Sequence, residues 1–383
     1  MNLERILRKL AKGKTNGPKK TLKVLHIPTS GVNAGGITKF ILDTMGELSA
    51  EKKLECHILS PFNVEHSLKK RLNNLGLSLV VINGRTRFPL GYFSKLLTYL
   101  RKNNFDLVHV HGSSSLMALE LLAARLAGVD VRIAHSHNTT CDHKFLHKLL
   151  RPLFLRSYTQ ALACSQAAGK WLFLANDFKV IYNGVDLQRF QFSEWQRSAI
   201  RKSLGIARDT FILGHVGHFN QQKNHTFLID VFQKIERVMP NANLLLIGTG
   251  SRKDQIKAKV EQLKLSDKVF FIGNVTDVYN WFSAMDVFIL PSLFEGFSIV
   301  LAEAQANGLV SFAADNIPPT VVVTSKVHLV SLKKSSKYWA EMILQQAGVE
   351  HHLSEEEKRA LKIFDGHEIS TQLYEEYLTL LAK

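Results

Sequence analysis

DVFILPSLFEGFSIVLAEAQANG (Asp286–Gly308) passes from a continuous apolar run, through a short polar loop, into a segment of helical character that ends on glycine. DVFILP has the length and apolarity of a buried strand, SLFEGF turns tightly at Gly296, and SIVLAEAQANG is a helix opened by Ser298 and closed by Gly308. Two carboxylates bracket the junction: Glu295 in the loop and Glu303 more than a turn into the helix. Between them the first amides, those of Phe297, Ser298 and Ile299, have no helical acceptor and suit an anion. A diphosphate resting there, with a carboxylate reaching hydroxyls on each side, matches a sugar–diphosphate–ribose ligand. Glycoside hydrolysis by the same two acids fits less well, because it needs one raised carboxyl pKa and no phosphate cradle.

Outward from this unit, the same alternation of short apolar runs and helical patterns recurs along the chain, as in a parallel sheet covered on both faces. Runs at 23–28, 56–59, 77–82, 107–112, 131–137, 161–165 and 179–184 form one series, with a helix at 37–48. A second series occupies 211–217, 243–250, 268–273, 286–292 and 309–314, with helices at 223–238, 252–264, 298–307 and 336–346. The expected organisation is α/β throughout. It comprises a basic tail at 1–20, a Rossmann-like acceptor domain at 21–186, a Rossmann-like donor domain at 187–364, and a C-terminal helix at 365–383 that packs back on the first domain. The turn chemistry of Asn183-Gly184 marks the main boundary.

Composition agrees with a soluble two-domain protein: 383 residues, 45% hydrophobic and 21% charged. Only Cys56, Cys141 and Cys164 are present, with no CxxC pair, which fits a reducing compartment. No membrane-length apolar run or signal-peptide core is present. The net charge of +16 attracts phosphate, nucleic acid or anionic lipid without choosing among them, and no nucleic-acid recognition module accompanies it. In the tail, seven Lys and Arg stand against Glu4 alone, while Leu3, Ile6, Leu7 and Leu10 recur at helical spacing. This segment either lies on an anionic membrane or is a solvated arm.

Ligands of open α/β sheets sit beyond the carboxyl ends of the strands. After the first strand, TSGVNAGGITKF offers Gly31, Gly35 and Gly36 before a helix, which is either an anion-binding loop or a plain turn. His109 and His111, and His135 and His137, each share a strand face by period-two spacing. A metal site is conceivable from these four imidazoles; the expectation is no metal, with the inner histidines hydrogen-bonded in the core. In GHVGHFNQQKNH, Lys223 stands at a helix start, where a cation is disfavoured unless an anion is bound there; the alternative is an ordinary surface lysine. The GTG at 248–250 is a lone GxG, read as a turn.

Taken together, EGFSIVLAE, VIYNGVDLQRF, GHVGHFNQQKNH, GTGSRKDQIKAKVEQLKLSDKVFFIGNV and RIAHSHN make the chain resemble, over roughly residues 22 to 380, a GT-B fold glycosyltransferase of family 4, of the bacterial capsular and exopolysaccharide type. The resemblance implies two Rossmann-like doubly wound domains facing across a cleft, and a role for each matching residue. Glu303 would hold the ribose hydroxyls, Glu295 the transferred sugar, the amides of Phe297 to Ile299 the diphosphate, and Lys223 the leaving phosphate. Gly296 shapes the same loop. His137 would contact the donor sugar near the reacting carbon, the Gly35-Gly36 loop would lie near diphosphate and acceptor, and Ile272, Gly273 and Asn274 would hold the base through backbone groups. Two positions depart from the pattern. His218 stands where the family usually has arginine beside the phosphate, and Val310 where it often has proline.

The resemblance further implies retaining transfer from a nucleotide sugar, a UDP-hexose or UDP-N-acetylhexosamine, to a polyprenyl-diphosphate-linked oligosaccharide. The protein would be cytoplasmic and peripheral on the inner membrane face, without cofactor or metal; no Asp-x-Asp pair occurs in the chain. The alternatives are a catalytically impaired GT-B subunit that binds a partner transferase or glycan, and a sugar-nucleotide epimerase, which would need no acceptor.

Overall fold

The computed structural model describes residues 21–51 and 53–383. The basic tail and its proposed membrane contact lie outside the described residues. The described residues form two compact units, 21–184 with 366–383, and 185–365.

In the first unit seven strands pair in parallel: β1 (Leu22–Pro28), β2 (Leu54–Ser60), β3 (Ser78–Val81), β4 (Leu107–Gly112), β5 (Val131–Ser136), β6 (Gln160–Ala163) and β7 (Lys179–Val180). Their order, β3-β2-β1-β4-β5-β6-β7, reverses direction between β1 and β4. Apart from His26, His109, His111 and His135, the central strands are largely apolar on both faces because helices cover both. One face packs Val24, Ile133 and Leu162 under helix Gly36–Ala50, and the other packs Leu25, Val108 and Ala134 under helices that include Ala118–Leu126. Helix Gly366–Leu381 lies against Gly36–Ala50 and drives Tyr377 fully into this core.

The second unit repeats the plan with β8 (Ile212–Val216), β9 (Asn243–Ile247), β10 (Val269–Gly273), β11 (Val287–Leu290), β12 (Val310–Ala314) and β13 (Val327–Val330), ordered β10-β9-β8-β11-β12-β13. Its core gathers Leu213, Leu244, Ile289 and Phe312 with Phe232 and Trp339. Asp286 anchors the head of β11: one carboxylate oxygen accepts from the Ile212 amide at 2.6 Å and from the buried Arg201 at 2.8 Å. Val310, at the family's proline position, opens β12 and pairs with Val287.

Sequence and structure differ at three places. The run at 179–184 yields only the two-residue β7, because it is an edge strand and the chain then turns at Asn183-Gly184. VHLV, an edge strand with partly exposed positions, carried no strong apolar signal yet forms β13. Ser298 stands at the N-cap of helix Ile299–Ala306 but does not cap it: it is left-handed at φ 76° and its buried Oγ has no hydrogen-bond partner.

Candidate active-site elements in each unit

In the second unit the site residues converge at the switch point between β8 and β11, as the open-sheet rule requires. The loop after β8 carries His218 and Lys223, and the loop after β11 carries Glu295. Leu293 donates its amide to the Gln222 carbonyl at 2.8 Å, and the Gln222 amide donates to the Phe294 carbonyl at 2.9 Å, so the two loops are stitched together. Lys223 Nζ then meets Glu295 Oε1 at 2.6 Å, both side chains being nearly buried. An ammonium has three N–H donors, and this bond commits one.

Helix Ile299–Ala306 begins with the strained Ser298. The first amides to turn back are those of Leu301 and Ala302, which donate to the Ser298 carbonyl at 3.1 and 3.3 Å. The amides of Ser298, Ile299 and Val300 have no acceptor within the helix, and the positive end of its dipole lies there. A left-handed non-glycine residue at this point costs about 1–3 kcal/mol and is held only because its surroundings fix it. Phe297, fully buried, does part of this by packing edge-on against Phe364 at 5.1 Å between centroids. Glu303 follows on the same helix and is buried.

The GTG turn does more than its sequence suggested. Gly248 (φ 138°) and Gly250 (φ 155°) lie against the loop after β8 so closely that a Cβ would sit 2.2 Å from the Gly217 carbonyl oxygen and 2.6 Å from that of Phe219. Thr249 offers its carbonyl to the Phe219 amide and to His218 Nδ1, both at 2.9 Å. A carbonyl only accepts, so Nδ1 of His218 carries the proton, and Nε2 can donate to an anion only when the ring is an imidazolium. Gly248 in turn donates to the Gly273 carbonyl at 2.8 Å, which places Ile272, Gly273 and Asn274 at the end of β10 beside the same loops.

In the first unit, Gly31 is left-handed (φ 79°), and the Gly35 amide donates to Asn33 Oδ1 at 2.8 Å, so this loop is a turn with Gly35 at the N-cap of helix Gly36–Ala50. The four histidines prove to be part of a longer hydrogen-bonded chain. His137 Nε2 lies 2.9 Å from His111 Nδ1, His111 Nε2 lies 2.8 Å from His26 Nδ1, and His26 Nε2 lies 3.4 Å from the Tyr377 hydroxyl. Tyr377 continues to His109 Nδ1 at 2.7 Å, and His109 Nε2 to His135 Nδ1 at 3.1 Å. His135 Nε2 is buried and has no partner.

That orphan sets the direction of the chain. An unpaired buried N–H is costlier than an unpaired lone pair, so His135 keeps its proton on Nδ1 and every bond runs from His135 toward His137. His137 then accepts at Nε2 and presents Nδ1–H outward. Burial holds the rings neutral, pushing His26 and His137 down to about 3. Sequence reasoning missed His26 and Tyr377; the signal for His26 was a polar residue inside the apolar run KVLHIP, whereas Tyr377 had none. One nitrogen from each of His26, His109 and His111, and from each of His111, His135 and His137, lies within 4.8 Å of its fellows; within these trios His26–His111 and His111–His137 are hydrogen-bonded.

Two doubly wound parallel units, one carrying a helix start beside a nearly buried Lys–Glu pair, have the architecture of the GT-B class. The comparisons extend this. The profile for "Glycosyl transferases group 1" matches residues 196–347, and that for "Glycosyltransferase Family 4" matches 34–189. The chain is 31% identical over 340 residues to a protein named as glycosyltransferase EpsF of Bacillus subtilis, covering 85% of this chain and 88% of that one. It is 25% identical over 376 residues to the capsular polysaccharide biosynthesis glycosyltransferase CapH of Staphylococcus aureus, covering 94% and 99%. It is 30% identical over 229 residues to the UDP-Gal:alpha-D-GlcNAc-diphosphoundecaprenol alpha-1,3-galactosyltransferase of Escherichia coli, covering 56% and 59%. In fold it is similar to Anabaena HepE, crystallised with UDP and glucose, at a TM-score of 0.78 and 21% identity over 93% of this chain and 99% of that one. The chain therefore belongs to the family 4 glycosyltransferases of GT-B fold, of the capsular and exopolysaccharide type. Among the described residues no helix is long and apolar enough to cross a membrane.

Proposed function

We propose that this glycosyltransferase moves a hexose or N-acetylhexosamine from a UDP-linked donor to a polyprenyl-diphosphate-linked oligosaccharide, with retention of anomeric configuration, as a peripheral protein on the cytoplasmic face of the membrane. The observation that carries this reading is the nearly buried Lys223–Glu295 pair at 2.6 Å beside the uncapped start of helix Ile299–Ala306. In the reaction the acceptor oxygen bonds to the anomeric carbon as the bond from that carbon to the diphosphate oxygen breaks, and the acceptor proton passes to the departing phosphate. Negative charge grows on the leaving diphosphate. Two remaining N–H donors of Lys223 and the first amides of the helix oppose it, a source of stabilisation that needs no divalent ion. Glu295 holds the lysine in place and takes sugar hydroxyls, Glu303 takes the ribose, Ile272, Gly273 and Asn274 take the base through backbone groups, and His137 meets the sugar through Nδ1–H.

The named activity of the Escherichia coli relative supports both a UDP donor and a diphosphoundecaprenol-linked acceptor. The test is a panel of nucleotide sugars scored for protection against thermal unfolding, followed by mass spectrometry of polyprenyl-diphosphate-linked acceptors incubated with the protecting donor. A glycosylated lipid product supports the proposal. Donor turnover to an epimer with no acceptor present, or protection by no nucleotide sugar, overturns it.

A further inference from the structure

Helix Lys144–Leu155 in the first unit is apolar on two opposite sides. Its inner side is fixed: His147 accepts the Ser115 amide at 3.0 Å and stacks on Trp171 at 5.1 Å, while Phe154 is fully buried. Its outer side is exposed. Phe145 is 78% and Leu149 62% accessible, and Leu146 and Leu153 continue the stripe, with Phe145, Leu149 and Leu153 at four-residue spacing. Lys144, Lys148 and Arg156 are exposed alongside it.

Charge and chemistry choose the partner. No Asp or Glu occurs from residue 143 to 176, and between Lys144 and Arg156 no side chain is an amide, a hydroxyl or a carboxylate. A protein interface of this size needs directed hydrogen bonds, roughly one per 100–200 Å². A bilayer asks only for apolar side chains to enter beneath the headgroups and cations to meet their phosphates. A second apolar pair, Phe88 and Leu90, is exposed near the same turn that the helix covers: Arg85 donates to the Leu116 carbonyl, and Ser115 is the residue bonded to His147. The helix also starts seven residues after His137, following the carboxyl end of β5.

We propose that the outer face of helix Lys144–Leu155 docks on an anionic lipid surface, with Phe145 and Leu149 inserted and Lys144 and Lys148 at the phosphates. This deepens the proposed function and rests on that reading only for its purpose, to bring the first unit to a lipid-linked acceptor; the docking is measured without donor or transfer.

The experiment uses the full chain and sedimentation with vesicles of phosphatidylglycerol and phosphatidylcholine, compared with phosphatidylcholine alone. The expected result is salt-sensitive retention on the anionic vesicles and protection of residues 144–155 from hydrogen exchange in the wild-type protein. Phe145→Ser with Leu149→Ser lowers retention at least ~10-fold, and Lys144→Glu and Lys148→Glu roughly five-fold or more each, with UDP affinity unchanged. Retention that survives these changes but is lost on deleting residues 1–20 assigns binding to the tail and overturns the proposal. So does equal retention on neutral vesicles, or a dimer that the serine variant splits while vesicle binding stays as it was. If vesicles bind as expected but no nucleotide sugar is turned over, the reaction assignment fails and the docking surface stands.

Discussion

Lys223 Nζ and Glu295 Oε1 are 2.6 Å apart although their residues are 72 positions apart in sequence, because β8 and β11 are neighbours in the second sheet. The pair is nearly buried, so removing one partner strands the other. Lys223→Ala is expected to lower kcat by about 10²–10³, as loss of a transition-state charge does, and to cost up to about 3–5 kcal/mol of stability. Glu295→Gln keeps the shape and is expected to lose turnover with a smaller stability change. Steady-state kinetics with calorimetric melting separates the two effects.

Glu303 sits on the buried side of helix Ile299–Ala306, past the proposed diphosphate position. Glu303→Ala is expected to weaken UDP binding by about 1.5–3 kcal/mol, the range for a hydrogen bond to a charged group. Isothermal titration with UDP checks this. Unchanged affinity removes the ribose from this residue.

His218 has its Nδ1 proton committed to the Thr249 carbonyl, so it can donate to the donor phosphate only when the ring is charged. His218→Arg carries a permanent charge and a planar fork, and is expected to bind UDP more tightly than the wild-type protein. Isothermal titration of both proteins with UDP decides it.

Buried neutral histidines make stability depend on pH with a definite sign. His26, His137 and His225 are pushed down to about 3 and His351 to about 4, against 6.5 for a free imidazole. Between those values the unfolded chain binds more protons than the folded one. Stability is thus fully present above about 6.5 and is lost as pH falls toward the folded values, at up to about 1.4 kcal/mol per pH unit for each such histidine. Urea unfolding at a series of pH values should show this slope, and replacing His26 should reduce it.

How much of this was legible beforehand follows from what is local. Strand–loop–helix units such as 286–308 announce themselves, since a fully buried parallel strand must be apolar and its helix must begin on a turn. The residues after β8 and β11 could be picked out by type and position. Their pairing could not, because sheet order joins strands distant in sequence. Gly248 and Gly250 looked like a turn, and only the approach of the loop after β8 shows why no side chain fits there. The histidine chain closes through Tyr377, which lies 268 residues from His109 on the last helix, a contact that no local pattern encodes. Ser298 had the residue type of a cap and the wrong backbone for one.

The account depends on where the pyrophosphate sits, and a crystal structure of the protein with UDP measures that directly. The predicted result is a diphosphate on the amides of Phe297, Ser298 and Ile299, with Lys223 Nζ within hydrogen-bonding distance and the ribose hydroxyls on Glu303. A nucleotide bound away from helix Ile299–Ala306 would contradict it.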